Sequence, residues 1–129
     1  MNLYNETTLF EYLQLNHYPD LVKARKQMSK WDCYSPSKLH RIELKCRGKH
    51  YDTLILERKK YDAMIEKCSD NDDLPIYINS TPEGIYRFNL YDVKPEWSVM
   101  KLRKTTQFDN KQKVPKEIAL IPVIDAEIL

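Results

Sequence analysis

The sequence predicts a mixed α/β (or α+β) domain, with a central mixed β-sheet flanked by helices. Three observations carry this. Apolar residues recur at helical spacing in two stretches, 5–15 and 57–69. Runs of strand length lie between and after them, at 30–34, 39–47, 52–56, 75–80 and 85–90. The resulting order is α-β-β-(β)-α-β-β followed by further C-terminal strands, the order of a sheet with helices packed on it. At 129 residues the chain reads as a single domain, 1–129, with a core at about 5–90 and an extension over 91–129.

In the first helix, Leu9 and Leu13 form an apolar stripe with Tyr12. Thr8 and Glu11 have capping-box spacing. If the helix begins at Asn5, Glu6 lies on the inward face; if Thr8 is the cap, Glu6 lies just before the helix. An inward acid needs a partner or a metal, whereas a first-turn acid complements the helix dipole. His17-Tyr18-Pro19-Asp20 ends this helix, and Asp20 is placed to cap a second, basic turn carrying Lys23, Arg25 and Lys26.

Lys30 to Tyr34 reads as a strand, with Trp31 and Cys33 on one face and Asp32 on the other. Ser35-Pro36-Ser37-Lys38 turns the chain into the next run. There Ile42, Leu44 and Cys46 share one face, and Arg41, Glu43, Lys45 and Arg47 share the other. A hairpin between the two runs brings Asp32 towards Glu43. After a short apolar strand at 52–56, the second helix places Tyr61, Met64, Ile65 and Cys68 on one stripe. Strands 75–80 and 85–90 flank Thr81-Pro82-Glu83-Gly84 and form a hairpin. The tail holds two more strand-like runs, 97–103 and 117–124, joined by a basic connector.

Composition excludes several classes. With two glycines there is no Gly-rich phosphate loop. Cys33, Cys46 and Cys68 are odd in number and show no CxxC, which argues against a zinc module and for a reducing, cytoplasmic setting. No run is long and apolar enough for a membrane span, and no signal-peptide pattern occurs. Asp70-Asn71-Asp72-Asp73 lacks the glycine and closing glutamate of a calcium loop. His17, His40 and His50 have no metal spacing, and Tyr51, Tyr61 and Tyr77 read as packing residues ahead of base-stacking ones. Charge is uneven: residues 33–51 carry five Lys/Arg against one acid, and 94–116 carry seven against two. Two basic segments in a chain of net charge +2 are a local footprint for a polyanion, or two solvated faces.

The chemistry-bearing stretch is 41–47. Glu43 and Lys45 stand roughly 7 Å apart on one side of the strand. Asp32 upstream supplies a second acid. Two acids hold a cation, and a lysine beside them steadies an attacking water or the charged phosphate, which is what metal-assisted phosphodiester cleavage requires. Spacing alone also fits an ordinary half-buried strand with a charged outer face.

The order of these residues resembles the PD-(D/E)xK nucleases, in the branch around archaeal Holliday junction resolvases and small phage-encoded nucleases. The resemblance covers about residues 5–90. It is carried by Asp32, ten intervening residues, then Glu43-Leu44-Lys45 after Ile42, followed by an amphipathic helix and a strand. Trp31 stands where that family often has proline before the acid. The resemblance implies a restriction-endonuclease-like core and an Mg²⁺-dependent endodeoxyribonuclease, with Mn²⁺ able to substitute. It implies Asp32, Glu43 and the Leu44 carbonyl as metal ligands, joined by a first-helix glutamate (Glu6, with Glu11 second), and Lys45 as the catalytic lysine. It implies Arg41, Arg47, Lys49 and His50 as phosphate contacts on a DNA partner, and it leaves a homodimer open. No base-reading motif is present, so a structure-selective or weakly specific enzyme is expected. Two other readings stay open: a non-catalytic nucleic-acid-binding module on the same fold, and an interaction domain whose charged strand is a solvated face.

Overall fold

The computed structural model describes residues 5–25, 31–103 and 112–129. In chain order the elements are α1 (Glu6–Asn16), β1 (Val22–Lys23), β2 (Cys33–Ser35), β3 (His40–Cys46), β4 (Thr53–Glu57), α2 (Arg58–Asn71), β5 (Leu74–Thr81), β6 (Gly84–Asn89), β7 (Ser98–Arg103), β8 (Lys113–Pro122), a 3₁₀ turn (Val123–Asp125) and β9 (Glu127–Ile128). Six strands form a mixed sheet in the order β1-β2-β3-β5-β6-β9, and three form a second sheet in the order β4-β8-β7. In the large sheet β3 and β5 are parallel, from His40 opposite Leu74 to Cys46 opposite Ser80; the other pairings are antiparallel. Parallel neighbours need a long crossover, and β4 with α2 supplies it.

The alternation read in β3 sorts its side chains between two cores. Ile42 and Leu44 join Leu9, Phe10, Leu13, Tyr18, Cys33, Ile76 and Ile78 beneath α1. On the opposite face Tyr77, Tyr86, Phe88 and Leu90 pack with Leu54, Leu56, Met64 and Ile121 from β4, α2 and β8. The charged face of β3 is therefore not a solvated outer face. It looks towards this second core, and Glu43 is buried there.

Several local expectations change. Asn5, not Thr8, caps α1: its Oδ1 accepts the Thr8 N–H at 2.8 Å. Glu6 is then the first residue of the helix. Asp20 caps no second helix; its carboxylate accepts from Ser35 Oγ (2.8 Å) and Ser37 N–H (2.7 Å), pinning the turn before β3, while Val22 and Lys23 form a short edge strand. Lys26 and Lys30 lie outside the described residues. Trp31 and Cys33 do not share a face: Cys33 enters the α1 core and Trp31 packs on the other. The strand begins only at Cys33, so strict alternation does not reach back to 31. The last long strand starts at Lys113, within the stretch read as a connector; residues 104–111 of that connector lie outside the described residues.

One buried ion pair ties the crossover to the sheet. α2 ends at Asp72, which adopts the left-handed conformation at φ 56° with its N–H bonded to Cys68 O. This turn delivers Asp73 to Arg41 of β3, and Tyr34 Oη also donates to Asp73. The Arg41 guanidinium lies 4.9 Å and 4.7 Å from the ring centres of Trp31 and Tyr34. Removing one member leaves the other charge buried without a partner. Asp73→Ala is expected to lower stability by about 3–5 kcal/mol in chemical denaturation. Tyr34→Phe, which deletes a single hydrogen bond to a charged group, should cost about 1–3 kcal/mol. A neutral Asp73→Ala would show that Arg41 finds its support elsewhere.

Candidate active site

The β2–β3 hairpin brings Asp32 and Glu43 together. Asp32 N–H donates to Ile42 O (2.8 Å), which anchors the residue one step before β2. Its Oδ2 accepts the Leu44 N–H at 2.7 Å. A strand residue presents its N–H and C=O to the same edge, so the Leu44 carbonyl also faces the Asp32 side. Glu43 follows the opposite face into the second core, close enough to Asp32 for that carboxylate to act on its charge. Burial, and then the negative charge of Asp32, push the Glu43 carboxyl up to about 7, against the pull of Lys60.

Lys60, in the first turn of α2, places Nζ 3.0 Å from Glu43 Oε1. Burial disfavours its charge, but Glu43 outweighs this and raises its pKa. Lys45, two residues along β3, is half-buried and hydrogen-bonds to no side chain among the described residues. Burial lowers its pKa, with Lys60 and Arg47 adding to the effect. Glu43, Lys45, Glu57, Lys60, Tyr61 and Tyr77 line a cleft floored by Leu56, Met64 and Leu90. Glu6 approaches from the start of α1. Although the helix begins right after Asn5, Glu6 is exposed and does not face inward. Desolvation and then the Asp32 charge raise its pKa, Lys45 and Lys60 oppose this, and Glu6 thus shares the electrostatic neighbourhood of the cleft. Glu11, the second candidate, is exposed and lies five residues on, about 140° around the helix.

The four expected phosphate contacts separate. Arg41 is committed to Asp73. Arg47 donates to Ile55 O (2.9 Å), Tyr77 Oη (3.3 Å) and Asn79 Oδ1 (3.3 Å), bracing β3 against β4 and β5. His50 Nδ1 lies 3.0 Å from Thr81 Oγ1. Lys49 alone of the four is exposed. Tyr77 is a packing residue, its hydroxyl donating to Ile55 O at 2.9 Å; Tyr61 packs edge-on against Trp97; Tyr51 is exposed.

Sequence reading missed Lys60. A faint signal existed: Lys60 sits four residues before Met64, in line with the buried face of α2, although its own side chain stays exposed. Which anion it meets depends on the crossover. Among the described residues no three His, Cys, Asp or Glu side chains converge as a ready metal cage. The donor set is instead two neighbouring carboxylates, Asp32 and Glu43.

A mixed central sheet, a helix against each face and a parallel β3–β5 pair joined through α2 define a restriction-endonuclease-like fold. Among solved structures the chain is similar to Hjc, a Holliday junction resolvase from the archaeal hyperthermophile Archaeoglobus fulgidus. The TM-score is 0.52 and the identity 14%, over 89% of this chain and 84% of that one. At that identity the likeness is one of fold. No protein-family model matches the chain, and no curated protein matches it. Among the described residues no helix is long and apolar enough to cross a membrane.

The raised Glu43 carboxyl has a sign that can be checked. The folded protein keeps a proton on Glu43 that the unfolded chain has already released, so this group's contribution to stability falls as pH rises from about 4.5 to about 7. Asp32→Asn removes the neighbouring negative charge. In the metal-free protein it is expected to bring the Glu43 titration, followed by carboxyl NMR, down towards the ordinary glutamate range and to flatten that fall. An unchanged titration would mean that Asp32 does not act on Glu43.

Proposed function

We propose that this chain is a metal-dependent nuclease of the PD-(D/E)xK type. It hydrolyses DNA phosphodiester bonds, selecting branched DNA by shape, as a Holliday junction resolvase does, or with weak specificity. The observation that carries the reading is that the β2–β3 hairpin holds Asp32 on the Leu44 N–H, next to Glu43, with Glu43 and Lys45 lining one cleft. Two acids pressed together are stable only with a proton or a cation between them.

The donors fit Mg²⁺, or Mn²⁺ in its place. Magnesium takes oxygen ligands and is held by one or two carboxylates, with waters and substrate phosphates completing its shell. Asp32 and Glu43 would hold it, with the Leu44 carbonyl on the same edge and Glu6 nearby. The cation, when bound, supplies positive charge that polarises the phosphate and acidifies water. Lys45 has an ammonium without a hydrogen-bond partner among the described side chains. Its role is to orient the attacking water or to offset the charge that grows on the phosphate oxygens. Lys60 balances Glu43 and helps to shield the cleft's negative charge from the DNA. Lys49, exposed beyond the end of β3, is the phosphate contact left to the first basic segment, with His50 beside it. The lack of a third converging acid among the described residues favours the second reading, a nucleic-acid-binding module without turnover.

Cleavage of labelled Holliday junctions, flaps, single strands and linear duplex with Mg²⁺ or Mn²⁺ separates the two. Glu43→Ala and Lys45→Ala are each expected to lower cleavage at least about 100-fold with an unchanged circular dichroism spectrum. Cleavage that survives both changes would exclude this site. Binding without cleavage by the unaltered protein would support the module. Lys60→Met removes the cation already paired with Glu43. It should tighten Mn²⁺ binding measured calorimetrically without DNA, and weaker binding would instead make Lys60 a support for the acid pair.

A further inference from the structure

The second sheet carries a surface that the cleft does not use. β4 pairs with β8 only over residues 118–122, whereas β7 pairs with β8 from Ser98–Ile118 out to Arg103–Lys113. Residues 99–103 and 113–117 therefore form a two-stranded ribbon that runs on past the edge of β4. Alternation sorts its side chains. One face carries Val99, Lys101 and Arg103, opposite Glu117, Pro115 and Lys113 respectively. The other carries Met100, Leu102, Val114 and Lys116.

On the first face Arg103 and Lys113 stand directly opposite each other, and Lys101 follows two residues along β7. Like charges directly opposite across a ladder destabilise it. Nothing among the described residues offsets them: Lys101, Arg103 and Lys113 are exposed and none enters an ion pair there. The base of the ribbon is tied down beside the cleft. Lys116 Nζ lies 2.8 Å from Glu57 Oε1, and Arg58 Nη1 lies 2.7 Å from Glu117 Oε2. Glu57 itself lines the cleft.

From this geometry we infer that the basic face of the β7–β8 ribbon, Lys101, Arg103 and Lys113, grips the phosphate backbone of DNA whose neighbouring segment lies at the Glu43 cleft. The inference rests on the nuclease reading for the identity of the polyanion. Its own content is the location of the grip. A ribbon with a row of exposed cations that enter no ion pair among the described residues, fixed to the rim of the cleft, holds a backbone without reading bases. It makes the C-terminal extension the main DNA anchor, in place of Arg41 and Arg47, which the fold consumes.

The test is DNA binding by the full chain in EDTA, where no cleavage occurs, across a range of salt concentrations. The Lys101→Gln, Arg103→Gln, Lys113→Gln triple variant is expected to lose at least about tenfold in affinity at about 100 mM salt. The slope of log affinity against log salt should fall by about 2–3, near 0.9 for each phosphate contact on duplex DNA. Arg103→Glu keeps the result falsifiable where stability is in question. It places opposite charges across the ribbon, so the melting temperature should hold or rise while DNA affinity falls; a structural role would lower both. A triple variant with unchanged affinity and slope overturns the ribbon assignment while leaving the nuclease reading to the cleavage assay. Equal loss of binding to DNA and to polyglutamate, with no preference for DNA, would overturn it in favour of an acidic protein partner. No DNA binding by the unaltered chain would overturn both readings.

Discussion

The parallel pairing of β3 with β5 is the constraint on which the other parts depend. Parallel neighbours cannot be closed by a tight turn. The chain must leave the sheet after Cys46 and return at Leu74. The excursion through β4 and α2 covers the face of β3 that bears Glu43, Lys45 and Arg47. It also lays Lys60 against Glu43 and returns Asp73 to Arg41. A hairpin between β3 and β5 would have left the same residues facing water, with ordinary titration and no cleft.

Burying a charged strand face is costly unless each charge is answered. The fold answers them unevenly. Arg41 receives Asp73 and two aromatic rings. Arg47 is satisfied by a backbone carbonyl, a tyrosine hydroxyl and an asparagine. Glu43 has Lys60 but also burial and Asp32, and burial, joined by the second acid, outweighs the lysine. Lys45 has no hydrogen-bond partner among the described side chains. The two arginines are thereby structural, while the acid pair and Lys45 hold unresolved charge. Groups kept in an unfavourable state by the fold are those with most to gain from a ligand.

The second sheet extends the same division of labour. Its inner residues, Leu54, Leu56 and Ile121, close the core over Tyr77 and Phe88. Its outer ribbon leaves the core behind and carries Lys101, Arg103 and Lys113, which enter no ion pair among the described residues. The uneven charge of the sequence is thus divided: Arg41 and Arg47 of the first segment are absorbed into the fold, while Lys101, Arg103 and Lys113 of the second stay exposed.

The sequence by itself determined both helices, most strands and the two faces of β3. Helical spacing located α1 and α2, alternation separated Ile42, Leu44 and Cys46 from Arg41, Glu43, Lys45 and Arg47, and Thr81 to Gly84 marked the β5–β6 hairpin. These are local matters, set by side-chain periodicity along a few residues. The proximity of Asp32 to Glu43 was legible for the same reason, because a short turn joins their strands. Only the tertiary structure decided where the charged face of β3 points, which of its bases remain free, and that Lys60 meets Glu43 seventeen residues earlier in the chain. Those outcomes depend on the path of a crossover. A strand with charges on one side has the same alternation whether water, a second sheet or a helix lies above it.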